Sequence, residues 1–436
     1  MYSESWQSTE PGRARRWNHF PNTVEGRYNQ LSQTIDLEVV SSSDFVDAVQ
    51  SNDVAKKRRV LPLLWHELRH WIDHTSTVWG QEDLIAAYAA IAARSSNDET
   101  KFHKIVDYLR RASRDRFDDY YSFAGEPCGS NPPRTWKLQF STGLRFDRDG
   151  KSNLASPIIF ATFRWLDDSL ARRSPLSVAA LLETAAMHFE VELKAQSLLQ
   201  LADEPRNVQF QVLNDSLMSY LYNPGFTEYS VTVHVLANRL RITDPLVAFR
   251  LSAALAYVAL NIVGDTWLCF ANLEKWRVWG ARVNEFIKNE DRGFAYFLLA
   301  HAAPMFEVGG SVEAWLEQTV LNAGLPTLTE LKRRALSAMD TLRRQQHGGN
   351  LANELAGKLS RGREVFTRIA MTADLTSCLS AVEYVGFPPI RFTPDTIVLV
   401  DGREEMYTPG EPFTDWLAKR TDIVWAMDEF YEVCGL

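Results

Sequence analysis

The stretch LPLLWHELRHWIDHTSTVWG (61–80) contains three of the nine histidines of the chain and joins the first of them directly to a glutamate. Its apolar residues recur at the spacing of an amphipathic helix. Because Pro62 is tolerated only near a first helical turn, the sequence predicts a helix from about Leu61 to about His74, preceded by Asp53 as a possible cap. The polar residues of this helix are the strongest functional signal in the sequence.

His66, Glu67 and His70 form an H-E-x-x-H motif within this predicted helix. Four residues advance a helix by about 400°, so the two histidines lie only about 40° apart and about 6 Å along the axis. Two imidazoles at that spacing can converge on one ion, with Glu67 on the flank of the same face. The opposite face is apolar, so we expect the helix to bury that side in a core and to present the histidines to a cleft; the apolar residues are Leu64, Leu68, Trp71 and Ile72.

The chemistry of zinc explains this combination of residues. Zinc held by neutral imidazoles lowers the pKa of a bound water toward ~7, and a carboxylate beside it can take the proton as the hydroxide attacks a carbonyl. We therefore expect Zn²⁺ as cofactor, His66 and His70 as ligands and Glu67 as general base. The alternative is a chance match on a solvated, histidine-rich helix.

Two further polar residues of the stretch are weaker candidates. His74 shares the face of His66 but lies roughly 12 Å farther along an unbroken helix, so we interpret it as an outer neighbour of the metal or as part of the cleft wall. Asp73 is a reasonable partner for a ligand imidazole and equally an ordinary helix carboxylate.

A catalytic zinc has three protein ligands, so a third must come from elsewhere in the chain. In PLSVAALLETAAMHFE (175–190), Glu183 lies near the edge of an apolar stripe, and the small residues after it permit close approach of another helix. Glu228, in the first turn of the predicted helix 227–240, is the alternative, although the helix dipole alone favours a glutamate there. We prefer Glu183.

A group that stabilises the developing oxyanion is also expected near the metal. Tyr229 and His188 are candidates, together with Tyr222 and His234. The sequence does not choose among them.

Through HELRH (66–70) and, less specifically, LLETAA (181–186), the chain resembles the zincin metallopeptidases and, within them, the glutamate-liganded gluzincins. The resemblance implies that His66, His70 and Glu183 bind zinc and that Glu67 is the general base. It also implies a small sheet above the histidine helix whose edge strand pairs with an extended peptide. The strand TIDLEVV (34–40) or a hairpin at 136–147 could contribute to that sheet. The motifs identify no particular peptidase family.

Hydrophobic periodicity predicts a predominantly α-helical α+β fold, with a zincin-like core, a small sheet or hairpin and an extended helical remainder. We expect three parts: an N-terminal segment with one strand (1–55), the metal-binding helical core (56–310) with a hairpin insertion at about 132–165, and a C-terminal helical region with a short extended tail (311–436). The other predicted helices are 44–50, 80–96, 99–117, one starting at Ser174-Pro175, 205–222, 227–240, 244–263, 268–289, 292–303, 311–323, 328–346, 350–371 and one from Thr414.

The composition excludes several classes of protein. The 47 basic and 55 acidic residues give a net charge of -8, which disfavours non-specific nucleic-acid binding. The four cysteines have no disulfide spacing, the N-terminus has no signal-like apolar region, and the most apolar segment (251–263) is too short to span a bilayer. We expect a cytoplasmic protein without nucleic-acid or membrane partners, and the oligomeric state is left open.

The function that these features favour is a zinc-dependent peptidase, selective for a protein or peptide substrate. A non-peptidase enzyme with zinc or iron is the first alternative, because two histidines and a carboxylate also suit iron. The second is a non-catalytic helical interaction protein in which residues 66–74 form only a polar face.

Overall fold

The computed structural model shows a helical α+β protein with small sheets. No single helix in the part of the chain that the structure describes has both the length and the apolar character needed to cross a membrane. The structure describes residues 25–30, 32–51, 53–96, 98–117, 119–125, 135–147, 149–272, 274–345, 351–393, 396–398 and 404–406. The predicted helix from Thr414 lies outside these ranges.

The helices follow the predicted periodic segments closely in number and place. Side-chain caps mark many of their starts; Asp53, for example, accepts from the backbone N–H groups of Ala55 and Lys56. The helices are α1 (Ser42–Gln50), α2 (Val54–Ser76), α3 (Val78–Ser95), α4 (His103–Asp115), α5 (Val178–Leu198), α6 (Asp203–Leu221), α7 (Thr227–Leu240), α8 (Pro245–Leu260), α9 (Ala281–Lys288), α10 (Arg292–Ala302), α11 (Val312–Asn322), α12 (Leu328–Arg344), α13 (Ala352–Arg368) and α14 (Leu375–Val385).

Nine described strands form two sheets. The first sheet has the order β1-β2-β7-β8-β9, in which only β2 and β7 are parallel, and the second is antiparallel with the order β3-β6-β5-β4. The strands are β1 (Gly26–Asn29), β2 (Thr34–Ser41), β3 (Phe123–Ala124), β4 (Lys137–Phe146), β5 (Ser152–Arg164), β6 (Leu170–Pro175), β7 (Ile390–Thr393), β8 (Thr396–Val398) and β9 (Glu404–Met406).

The chain divides into two compact units, of which the first comprises residues 1–116, 342–365 and 382–436. Within it, α2 packs against β1 and β2 of the first sheet and against α1 and α3. The apolar residues predicted to face a core are all buried; they are Leu64, Leu68, Trp71 and Ile72.

The second unit comprises residues 117–341 and 366–381. Its centre is α8, a helix that is apolar on nearly all sides and buried from Leu251 to Leu260. Helices α5, α7 and α10 pack around it. The helix that carries Glu183 is therefore held on a rigid apolar core.

The histidine helix is longer than the sequence suggests. It begins at Val54 and continues through Pro62 to Ser76, so the prediction of a start near Leu61 is wrong. Proline removes one backbone donor and clashes with the preceding turn, which is why it argued for a first-turn position. Here the tertiary packing of the buried Pro62 outweighs that local penalty.

Two further local predictions are wrong. The helix after β6 starts at Val178 and is capped by Ser177, because Ser174 and Pro175 pair with β5 as the end of β6. The predicted helix 268–289 is two 3-10 segments followed by α9, separated at Gly280, whose φ is +56°. The predicted hairpin corresponds to β4 and β5, and its turn comes at Gly150, whose φ is +74°. Helix α14 was not predicted at all.

The junction of α2 and α3 supplies a prediction about stability. A Cβ atom at Gly80 would lie 2.4 Å from the carbonyl oxygens of Asp73 and His74, and backbone atoms cannot rotate away. We expect Gly80→Ala to lower the free energy of unfolding by about 1–3 kcal/mol, measured by denaturant unfolding. Gly357→Ala is the matched control: Gly357 is an exposed glycine of α13 with no atom near its missing Cβ, so that change is expected to be neutral or stabilising. Equal stability of Gly80→Ala and wild type would contradict the close approach of the two helices.

Candidate metal centre

The H-E-x-x-H motif lies in the second half of α2, where the helix is enclosed by protein. Every residue from Glu67 to Ser76 is buried, and His66 is half-buried. The expected division into a core side and an open side is therefore replaced by burial of both faces. Burial matters for chemistry, because electrostatic interactions are stronger where water is excluded.

The imidazoles of His66 and His70 face each other. Their Nε2 atoms are 3.2 Å apart, and the rings are inclined at 80°. Two zinc–nitrogen bonds of about 2.0–2.1 Å at a tetrahedral angle would separate their nitrogens by roughly 3.3 Å. The pair therefore has the spacing of two ligands of one ion, and the same distance also allows one ring to donate a hydrogen bond to the other.

Glu183 is the preferred candidate for a carboxylate ligand. It lies in the second turn of α5, which the side chain of Ser177 caps, and it is 2% exposed. Among the described residues, one group of potential metal ligands has the required closeness: His66, His70 and Glu183 each offer a ligand atom, and these atoms all lie within 4.8 Å of one another. Glu228, Asp73 and His74 are not members of this group.

The electrostatics of His70 suit a ligand. Its burial, together with the neighbouring His66, His74 and Arg69, holds the pKa of its imidazole well below the usual value. A metal ligand must be neutral imidazole, and a lowered pKa keeps the ring neutral at physiological pH. Two imidazoles and one carboxylate fit zinc, and the same donor set suits iron.

Asp73 has a different partner from the expected imidazole. Its Oδ2 atom accepts a hydrogen bond from Nε of Arg69 at 2.9 Å, and both side chains are fully buried. Burial raises the pKa of Asp73, whereas the guanidinium beside it acts in the opposite direction. The Asp73 carboxylate thus compensates the buried guanidinium of Arg69, which directly precedes His70 in the sequence.

His74 belongs to a separate buried cluster of the first unit. Its ring packs against Trp79 and Tyr28, with centroid distances of 4.9 and 5.4 Å. Its Nδ1 atom is 3.9 Å from Oδ2 of Asp83, and Asp83 in turn lies 3.6 Å from the guanidinium of Arg111. The third histidine of the opening stretch thus contributes to the packing of α2 against α3 and β1.

The candidates for an oxyanion stabiliser have different surroundings. His188 is buried and lines a cavity of about 320 Å³ with Glu192 and Arg250. His234 packs among Trp136, Phe163 and Tyr222, its Nε2 atom lies 2.8 Å from the carbonyl oxygen of Leu221, and burial lowers its pKa to about 4.

The backbone of Tyr229 contacts the residue that follows Glu183. The hydroxyl of Thr184, directly after Glu183, donates a hydrogen bond to the backbone carbonyl of Tyr229 at 3.3 Å. This contact joins α5 to α7 beside Glu183.

Tyr220 is a residue near Glu183 that the sequence did not indicate. Burial and then the negative charge of Glu183 raise the pKa of its phenol well above the usual value. The phenol therefore stays protonated and is able to donate a hydrogen bond. Its ring stacks on Phe226 with centroids 5.2 Å apart. Tyr220 lies near the end of α6, which packs against α5, so no local pattern could have identified it.

Comparison with protein-family models, curated proteins and solved structures finds no match for this chain.

Proposed function

We propose that the chain is a zinc-dependent metallopeptidase in which His66, His70 and Glu183 hold the metal and Glu67 is the general base. The observation that carries the proposal is the convergence of these three ligand atoms within 4.8 Å, directly beside a buried glutamate. Zinc bound there would activate a water molecule and polarise a substrate carbonyl. Glu67 would accept the proton of the attacking water and pass it to the leaving amine.

The surroundings of α2 in the first unit support a zincin-like arrangement. The helix packs against β1 and β2, and β1 has one neighbouring strand, β2, among the described residues. An extended peptide that pairs with β1 would run past Glu67, because Gly26 of β1 lies against that side chain.

Two measurements test the proposal. Metal analysis of protein purified without added metal is expected to find zinc at about one ion per chain. Peptides of a host lysate are then compared after incubation with wild-type protein and with Glu67→Gln; we expect new peptide termini with the wild type alone. Identical termini with both proteins would contradict peptidase activity at this site.

The same measurements separate the alternatives. Stoichiometric iron, with activity lost on oxidation, would favour a non-peptidase iron enzyme with the same ligands. A non-catalytic interaction protein predicts that His66→Ala and Glu67→Gln change neither the metal content nor the melting temperature.

A further inference from the structure

Gly26 begins β1 and is buried, although nothing in its backbone conformation requires glycine. It pairs with Leu37 as an ordinary strand residue, and its φ is not in the left-handed region. Glycine weakens a strand, because it has no side chain to pack and loses more conformational entropy than other residues. A glycine at this position is therefore explained by the space that it leaves open.

That space is occupied by the side chain of the general base. A Cβ atom at Gly26 would lie 3.2 Å from Oε1 of Glu67, 3.3 Å from its Cγ and 2.9 Å from Cδ1 of Leu63. Leu63, Glu67, His70 and His74 lie within about 60° of one another around the axis of α2. Tyr28, the next residue of β1 that points to the same side, contacts the ring of His74.

The two neighbours of Gly26 would respond differently to an added methyl group. The Cδ1 atom of Leu63 is the end of a flexible side chain and can rotate away. Glu67 is crowded at two atoms along its side chain, so it could yield only by turning its carboxylate. Catalytic groups lose efficiency when they are displaced by fractions of an ångström.

We propose that Gly26 is a positioning residue of the metal centre: by lacking a side chain, it holds open the space in which the Glu67 carboxylate is oriented. The catalytic meaning of this contact rests on the proposed function, whereas the contact itself does not. The inference assigns a role to the first residue of β1 in addition to any pairing of β1 with a substrate.

The catalytic part is tested by steady-state kinetics of Gly26→Ala on a peptide that the wild type cleaves. We expect kcat to fall roughly tenfold, with KM and zinc content unchanged, because the base is misplaced but the ligands are not. A loss confined to KM, or an unchanged kcat, would overturn the proposal.

The contact is tested by thermal unfolding in two backgrounds. Gly26→Ala is expected to lower the melting temperature by roughly 2–4 °C in the wild-type chain, and to leave it unchanged or raised when Glu67 is already alanine. Gly143→Ala, in β4, is the matched control: its Cβ would lie 2.6 Å from the ring of Phe160 in β5, so its effect should be the same in both backgrounds.

The two tests distinguish two kinds of failure. Equal losses for Gly26→Ala in both backgrounds would overturn the role of Gly26. A wild-type protein without peptidase activity would refute the proposed function instead, and the unfolding comparison would then decide by itself whether Gly26 holds Glu67 in place.

Discussion

Glu67→Gln is expected to hydrolyse peptides at least about 100-fold more slowly than the wild type while binding the same amount of metal. Glutamine has nearly the shape of glutamate and can occupy the same space beside Gly26, but its amide cannot accept the proton of an attacking water. Because Glu67 is 4% exposed, bulk water is poorly placed to replace it as the base. The measurements are kcat/KM on a cleaved peptide and metal content by elemental analysis.

Glu99→Gln is a suitable control for this experiment, because Glu99 is an exposed carboxylate of a 3-10 turn in the same unit. Its kinetics should equal those of the wild type. If Glu67→Gln retained full activity, Glu67 could not be the base, although the metal site itself could remain. If it lost the metal together with the activity, Glu67 would be acting on the ligands instead.

His70→Ala and Glu183→Ala are each expected to weaken zinc binding by more than about 100-fold, which is the upper range found when only an outer partner of a ligand is removed. Each removes one of the three proposed ligands, and two ligands alone would bind the ion much more weakly. Zinc bound to the folded state raises stability by mass action. Added zinc should therefore raise the melting temperature of the wild type and have little effect on either variant.

Two substitutions provide the controls for metal binding. His103→Ala removes an exposed histidine of α4 and should leave zinc affinity unchanged. Glu228→Ala removes the alternative carboxylate ligand and should also retain the metal. Loss of zinc in Glu228→Ala, combined with retention in Glu183→Ala, would show that the carboxylate ligand has been assigned to the wrong helix.

Much of the helical structure could be predicted from local patterns, because apolar spacing determines which side of a helix can be buried. Helices α6 and α7 are close to the predicted 205–222 and 227–240 for this reason. The failures are places where two local signals competed. The dipeptide Ser174-Pro175 is typical of a helix start, but both residues pair with β5 as part of β6. The helix begins later and is capped by Ser177.

The sequence by itself determined the pairing of His66 with His70, because their four-residue spacing on a helix is a local property that survives any packing of that helix. The choice of Glu183 as the proposed third ligand needs tertiary structure, since periodicity shows which face a residue occupies but not which distant segment meets that face. The same limit explains His74 and Tyr220. His74 shares the face of the proposed ligands yet packs against Trp79, and Tyr220 lies near Glu183 because α6 packs against α5.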